Sequence, residues 1–168
     1  QRPLMTRLRI TNGIVLSAIL ALITFALYIP VVTHQFLQWN DPQVLSANAH
    51  ARTLSLPHIK AAFKQTIDGH YSPLTTVSFA IESRLFGVHP SVAHTTNLFL
   101  HMLVVVLLFM LFKRAGLRAM FAFLVALVFA VNPLNVETVA WVSQRRELMG
   151  MLFIALCILS YKRIWLAL

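Results

Sequence analysis

Long uncharged runs alternate with short polar connections along this chain, and that alternation predicts its elements. No charged residue occurs from Gly13 to Val32. About 20 apolar residues cross a roughly 30 Å hydrocarbon core at about 1.5 Å per residue, so 13–32 reads as a first membrane span. Further apolar runs over about 94–112, 117–133 and 148–161 read as three more. The second ends in Lys113 and Arg114, and Gly116 supplies a turn before Arg118. The third stops at Pro133, and the fourth precedes Lys162 and Arg163. The expected fold class is therefore an all-α integral membrane domain of about four transmembrane helices, a single domain over 1–168.

The region between the first two spans, 34–93, holds no run long enough to cross a bilayer. Leu56, Ile59, Phe63 and Ile67 recur at helical spacing, with Lys60 and Lys64 off that stripe and Pro57 near its start. Leu74, Val77, Ile81 and Leu85 make a second stripe, opened by Pro73 and closed by Gly87. Both are short and amphipathic, which predicts surface helices over about 56–67 and 74–86 in a helical first outer loop. Reading the second as a short tilted span would invert everything downstream.

Composition sharpens this picture. The chain is 58% hydrophobic and 11% charged, against about 45–50% and about 25% for a soluble domain. Its net charge of +9 comes from basic residues scattered between apolar runs, so they flank membrane helices and make no nucleic-acid surface. With the N-terminus in the cytoplasm, Arg2, Arg7, Arg9, Lys113, Arg114, Arg118, Lys162 and Arg163 lie inside. Asp41, Asp68, Glu82, Glu137 and Glu147 then lie outside, and the first loop with them. The run from Gly13 to Ile29 exceeds a secretory core and no A-x-A-like site follows, which favours a retained signal anchor. Cys157 stands alone inside an apolar run, so no intrachain disulfide can form.

Three polar groups are candidates for chemistry. Asp41 follows Trp39, an interfacial anchor type, just beyond the first span. A carboxylate there can act as a general base toward a hydroxyl or ligate a metal; as Asp before Pro it can equally serve a turn or helix cap. Glu137, Trp141 and Arg145 are four apart and would share one helix face. Arg145 and Arg146 have the guanidinium forks that suit phosphate oxygens, or they snorkel to headgroups and pair with Glu137 and Glu147. His94, Asn97 and His101 form a polar stripe on the second span, facing a wet cavity or hydrogen-bonding to other helices. The two histidines are about 10 Å apart along a helix, too far to share one ion. Gly-rich phosphate loops, C-x-x-C, G-x-S-x-G and H-E-x-x-H motifs do not occur, which leaves nucleotide chemistry and hydrolase triads without support.

Five stretches in order carry a resemblance. They are Phe36 to Asp41, His70 to Thr75, Leu85 to Pro90, His94 to His101, and Asn132 to Leu148 with Glu137, Trp141 and Arg145 inside it. From about Phe36 to Arg163 the chain resembles bacterial relatives of the transmembrane and tetratricopeptide-repeat O-mannosyltransferases, among the polytopic GT-C glycosyltransferases. The resemblance implies the N-terminal part of an enzyme that moves a sugar from a polyprenyl-phosphate donor to an acceptor on the outer face. In a bacterial inner membrane the first loop would then be periplasmic. It also implies Asp41 as catalytic acid or base and Arg145 or Arg146 at the donor phosphate, with Glu137, His101, Asn97 and Trp39 in support. A divalent metal is weakly implied; no other cofactor is. The chain departs from the family pattern at Asn40, where relatives have a second acid, and at Asn132 and Asn135, where they have histidines. The alternative is a non-catalytic accessory or scaffold subunit packed against other membrane subunits. A small transporter is disfavoured because the spans hold almost no ionisable group beyond His101.

Overall fold

The computed structural model describes the backbone over 2–165 and the side chains over 12–161. The flanking cations Arg2, Arg7, Arg9, Lys162 and Arg163 lie outside the described side chains. The described residues are helical, with one isolated bridge between Ile67 and His70. The helices are α1 (Arg2–Tyr28), α2 (Ala49–Arg52), α3 (Leu56–Ala62), α4 (Pro73–Phe86), α5 (Pro90–Arg114), α6 (Ala119–Ala130), α7 (Leu134–Ala140) and α8 (Arg145–Trp165).

Two helical stretches, Asn12–Thr33 and Pro90–Arg114, are long and apolar enough to cross a membrane. α6 and α7 meet this measure only as a pair, and they bend by 67° at their junction. Pro133 sits in that junction, where its ring and missing N–H oppose a continuous helix. Large apolar side chains cover the outside of the bundle: Ile14, Leu22, Phe99, Phe121, Val128 and Ile154 are all exposed. Such a surface suits lipid, not water, and marks the chain as an integral membrane protein.

Inside the bundle, Leu20 of α1 and Val105 and Phe109 of α5 pack against Ala122, Ala126 and Ala130 of α6. The alanines recur every four residues, so one face of α6 is small and its backbone can approach its neighbours closely. The Tyr28 hydroxyl donates to the Ala130 carbonyl at the far end of that seam. Between α5 and α6 the chain turns at Gly116, with φ +101°, a conformation that suits a residue without Cβ.

The first loop folds as a cap on one end of the bundle. Leu45 and Ala51 pack with Phe79 of α4, Ala93 of α5 and Val142. α3 stops at Ala62, five residues short of the predicted end at 67. Ile67 is drawn into a tight hairpin instead, exchanging both backbone hydrogen bonds with His70. Asp68 and Gly69 form its tip with φ +52° and +73°, an Asp-Gly turn with both residues left-handed. α4 turns its apolar stripe outward, with Leu74, Ile81 and Leu85 exposed, while Thr75, Thr76, Phe79 and Glu82 face the core.

Candidate functional site

Asp41 opens a single π turn, Pro42–Ser46, but its side chain does not cap it. The carboxylate is 1% exposed and points inward. Its Oδ2 accepts from the Leu37 N–H at 2.8 Å, and its Oδ1 accepts from Ser143 N–H at 3.0 Å and Ser143 Oγ at 2.6 Å. These are charge-assisted bonds, stronger than neutral ones. Through them Asp41 ties the first loop to the turn before α8. Neighbouring Trp39 is 77% exposed. Asn40 donates through Nδ2 to Asp68 Oδ2 at 2.6 Å. An aspartate at position 40 would set two carboxylates against each other, which gives the departure from an acidic pair a physical reason.

Arg145 anchors a second, adjoining network. It is fully buried, stacked over the Phe79 ring at 3.9 Å. Its Nε donates to Asn97 Oδ1 at 2.9 Å, and its Nη2 donates to Glu82 Oε2 and the Ala93 carbonyl, both at 3.0 Å. Thr96 Oγ1 donates to the same Glu82 oxygen, and Asn97 Nδ2 donates to the Trp141 carbonyl. Burial pulls the guanidinium down to about 10, opposed by the adjacent Glu82 carboxylate, so it stays cationic at neutral pH. Arg145 thus spends its donors on α4 and α5. Arg146, its neighbour, points the other way and pairs with Glu147 at 3.2 Å at a partly exposed position.

The expected common face of Glu137, Trp141 and Arg145 does not form. α7 ends at Ala140, and Trp141 is extended with φ −98° and ψ 116°. The extended residue re-aims the chain, so Arg145 enters the core while Glu137 stays exposed. His94, Asn97 and His101 do share the inward face of α5, each at most 1% exposed. The His101 ring lies edge-on to Tyr28 at 5.1 Å and near Phe129, and among the described residues its Nε2 has no hydrogen-bond partner. The His94 ring lies beside the Gln35 backbone and stands 6.2 Å from the ring of His34.

Two cavities flank these networks. One of about 500 Å3 lies between His34–Leu37 and Val136–Trp141, with Glu137 on its wall. Its wall residue Leu37 donates to Asp41, so the carboxylate sits directly behind it. The other, of about 420 Å3, lies between His70–Thr75 and the start of α8, with Arg146 and Glu147 on its wall.

The chain is similar to protein O-mannosyl-transferases. It is 35% identical over 109 residues to protein O-mannosyl-transferase TMTC1 of Homo sapiens, covering 62% of this chain and 12% of that protein. Identity to human TMTC4 is 35% over 105 residues, covering 54% and 14%. For human TMTC3 it is 32% over 93 residues, covering 55% and 10%. The chain therefore spans only a small fraction of the relatives it matches. No family model matches it, and no solved structure matches it. The matched relatives are mammalian proteins, not bacterial ones.

Sequence reasoning missed Ser143, Glu82, Thr96 and Ser78, whose Oγ accepts from Arg145 Nη1 at 3.4 Å. Glu82 carried a signal: a lone acid off the apolar stripe of α4 requires a partner if buried. Ser143 carried none, because its role exists only when the hairpin meets Asp41. Among the described residues, no group of three or more His, Cys, Asp or Glu side chains is close enough to hold a metal ion. Both Asp41 oxygens are already engaged by donors, so the donor set here does not fit a divalent cation.

Proposed function

We propose that the chain forms the N-terminal part of a GT-C-type membrane glycosyltransferase that moves a sugar from a polyprenyl-phosphate donor to a hydroxyl acceptor on the outer face. The observation that carries this reading is Asp41 held behind the wall of the 500 Å3 cavity by Leu37 and Ser143. Four crossings, with 117–133 as the third and 148–161 as the fourth, put that cavity on the outer side, and α3 and α4 lie with their apolar stripes on the bilayer surface. The acceptor hydroxyl displaces Ser143 Oγ from Asp41 Oδ1 and gives up its proton there. The acceptor oxygen then bonds to the anomeric carbon as the bond from that carbon to the donor phosphate breaks. Arg146, on the wall of the second cavity, the one of about 420 Å3, takes the charge of the leaving polyprenyl phosphate as the donor bridges the two cavities. Arg145 supports both sites by fixing α8 against α4 and α5. The similarity to protein O-mannosyl-transferases supports the class of reaction.

The test is sugar transfer from a synthetic polyprenyl-phosphate sugar by the full protein in membranes. Asp41→Asn abolishes transfer with insertion unchanged, while Ser143→Ala, which keeps the carboxylate, retains it. Unchanged transfer in Asp41→Asn removes Asp41 from the mechanism. One observation favours a second reading, an accessory subunit: Asp41 is buried and fully engaged as a latch. Stoichiometric recovery with other membrane subunits and no binding of lipid-linked sugar would select that reading.

A further inference from the structure

The two ends of the bundle differ in charge. All five acids belong to the first loop, α4 or the α7–α8 hairpin, the end capped by Asp41. The opposite end, where α5 turns into α6, carries Lys113, Arg114 and Arg118 and no carboxylate. Among the described residues, the ion pairs are Arg145–Glu82 and Arg146–Glu147, so none neutralises these three cations.

Two cavities meet there at Lys113. One, of about 470 Å3, is lined by Asn12, Lys113, Gly116, Leu117, Arg118 and Ala119. The other, of about 610 Å3, has Ile14, Phe109, Met110 and Leu159 on its wall with Ser17 and Arg114, and shares Lys113. The shared ammonium is held at their junction. It stands 5.6 Å over the Phe109 ring. It also lies against α1 where Gly13 leaves room, since a Cβ there would be 2.8 Å from Nζ.

We infer that these cavities form one site for an anionic phospholipid of the leaflet opposite the Asp41 end. Its phosphate sits between Lys113 and Arg118, and an acyl chain runs along Ile14, Phe109 and Met110. A cavity with Asn12, Lys113 and Arg118 on its wall beside a mainly apolar one matches an amphiphile, not a free anion. The lack of a carboxylate at this end leaves nothing to receive a choline or ethanolamine ammonium, so a net-anionic headgroup is favoured. Cations at the end of the Pro90–Arg114 span lie at headgroup depth.

The test titrates fluorescent phosphatidylglycerol against the full chain in neutral detergent, with phosphatidylcholine and inorganic phosphate as competitors. The native chain binds phosphatidylglycerol in preference to phosphatidylcholine, and inorganic phosphate does not compete at the lipid's own concentration. Arg118 is exposed, so Arg118→Gln leaves the packing intact and weakens binding about fivefold; Lys113→Gln with Arg118→Gln weakens it about 30-fold. Lys60→Gln with Lys64→Gln, an equal charge change on exposed loop residues, leaves it unchanged. Equal affinity for phosphatidylcholine, unchanged binding in Arg118→Gln, an equal loss in the loop variant, or competition by inorganic phosphate would each overturn the inference.

Discussion

Arg145 and Arg146 are adjacent and chemically identical, yet they do opposite things. Arg145 is fully buried and satisfied by Glu82, Asn97 and the Ala93 carbonyl. Breaking a buried pair leaves one charge stranded and costs about 3–5 kcal/mol, whereas replacing both partners with apolar groups can be neutral. Arg145→Met and Glu82→Leu are each expected to destabilise by that amount, with much of the loss recovered in the double variant. Denaturant unfolding in detergent, read as a double-mutant cycle, checks this. Arg146→Gln removes only a partly exposed pair with Glu147 and is expected to leave unfolding within about 1 kcal/mol of native. Asp41 behaves like Arg145. Asp41→Asn turns an amide toward N–H and O–H donors, and a loss of about 1–3 kcal/mol is expected alongside any loss of transfer. Stability and transfer therefore have to be measured on the same variant.

Helix identity and helix orientation separate at the scale of elements. The apolar stripes of α3 and α4 define real helices, but the buried face of α4 is the other one, carrying Thr75, Thr76, Phe79 and Glu82. In water an apolar face turns inward; the outward stripe of α4 fits the proposed placement at a bilayer surface, where lipid is as good a partner as a core. α6 uses a different device. Its fully buried alanine face packs against Leu20, Val105 and Phe109. Ala126→Leu is expected to destabilise by about 1–3 kcal/mol through overpacking, whereas Val128→Leu, on the exposed face, is expected to be near neutral. Thermal unfolding of the two variants in one detergent discriminates them. The α5–α6 turn adds a backbone constraint. Nothing lies within 4 Å of a Cβ at Gly116, so the cost of Gly116→Ala, about 1–2 kcal/mol, comes from its φ of +101° alone.

The whole molecule is a bundle with a polar, acid-containing cap at one end and, at the other, cations with no carboxylate partner among the described residues. That polarity predicts orientation. With Cys157→Ser as background, Lys64→Cys is expected to react with a membrane-impermeant maleimide from the outer side of intact cells. Arg118→Cys is expected to react only after permeabilisation. Labelling of both from one side would place the cap and the α5–α6 turn on the same face and remove the topology on which the proposed site depends.

Some of this was legible without coordinates. Uncharged runs bounded by basic residues specify membrane helices, because charge is expelled from hydrocarbon whatever the tertiary contacts. The inward face of α5 was legible in the spacing of His94, Asn97 and His101, since polar groups in a span seek the bundle interior. The hairpin between Ile67 and His70 was legible in principle from Asp68-Gly69, but the helical stripe through Ile67 outweighed it. The partners of the buried charges were not legible. Glu82 and Arg145 are 63 residues apart, and Asp41 and Ser143 are 102 apart. Periodicity reports which face a residue occupies on its own element; it carries nothing about which element lies opposite. Only tertiary packing could decide that Asp41 is a latch behind a cavity, that Arg145 belongs to the core, and that Arg146 is the arginine left facing outward.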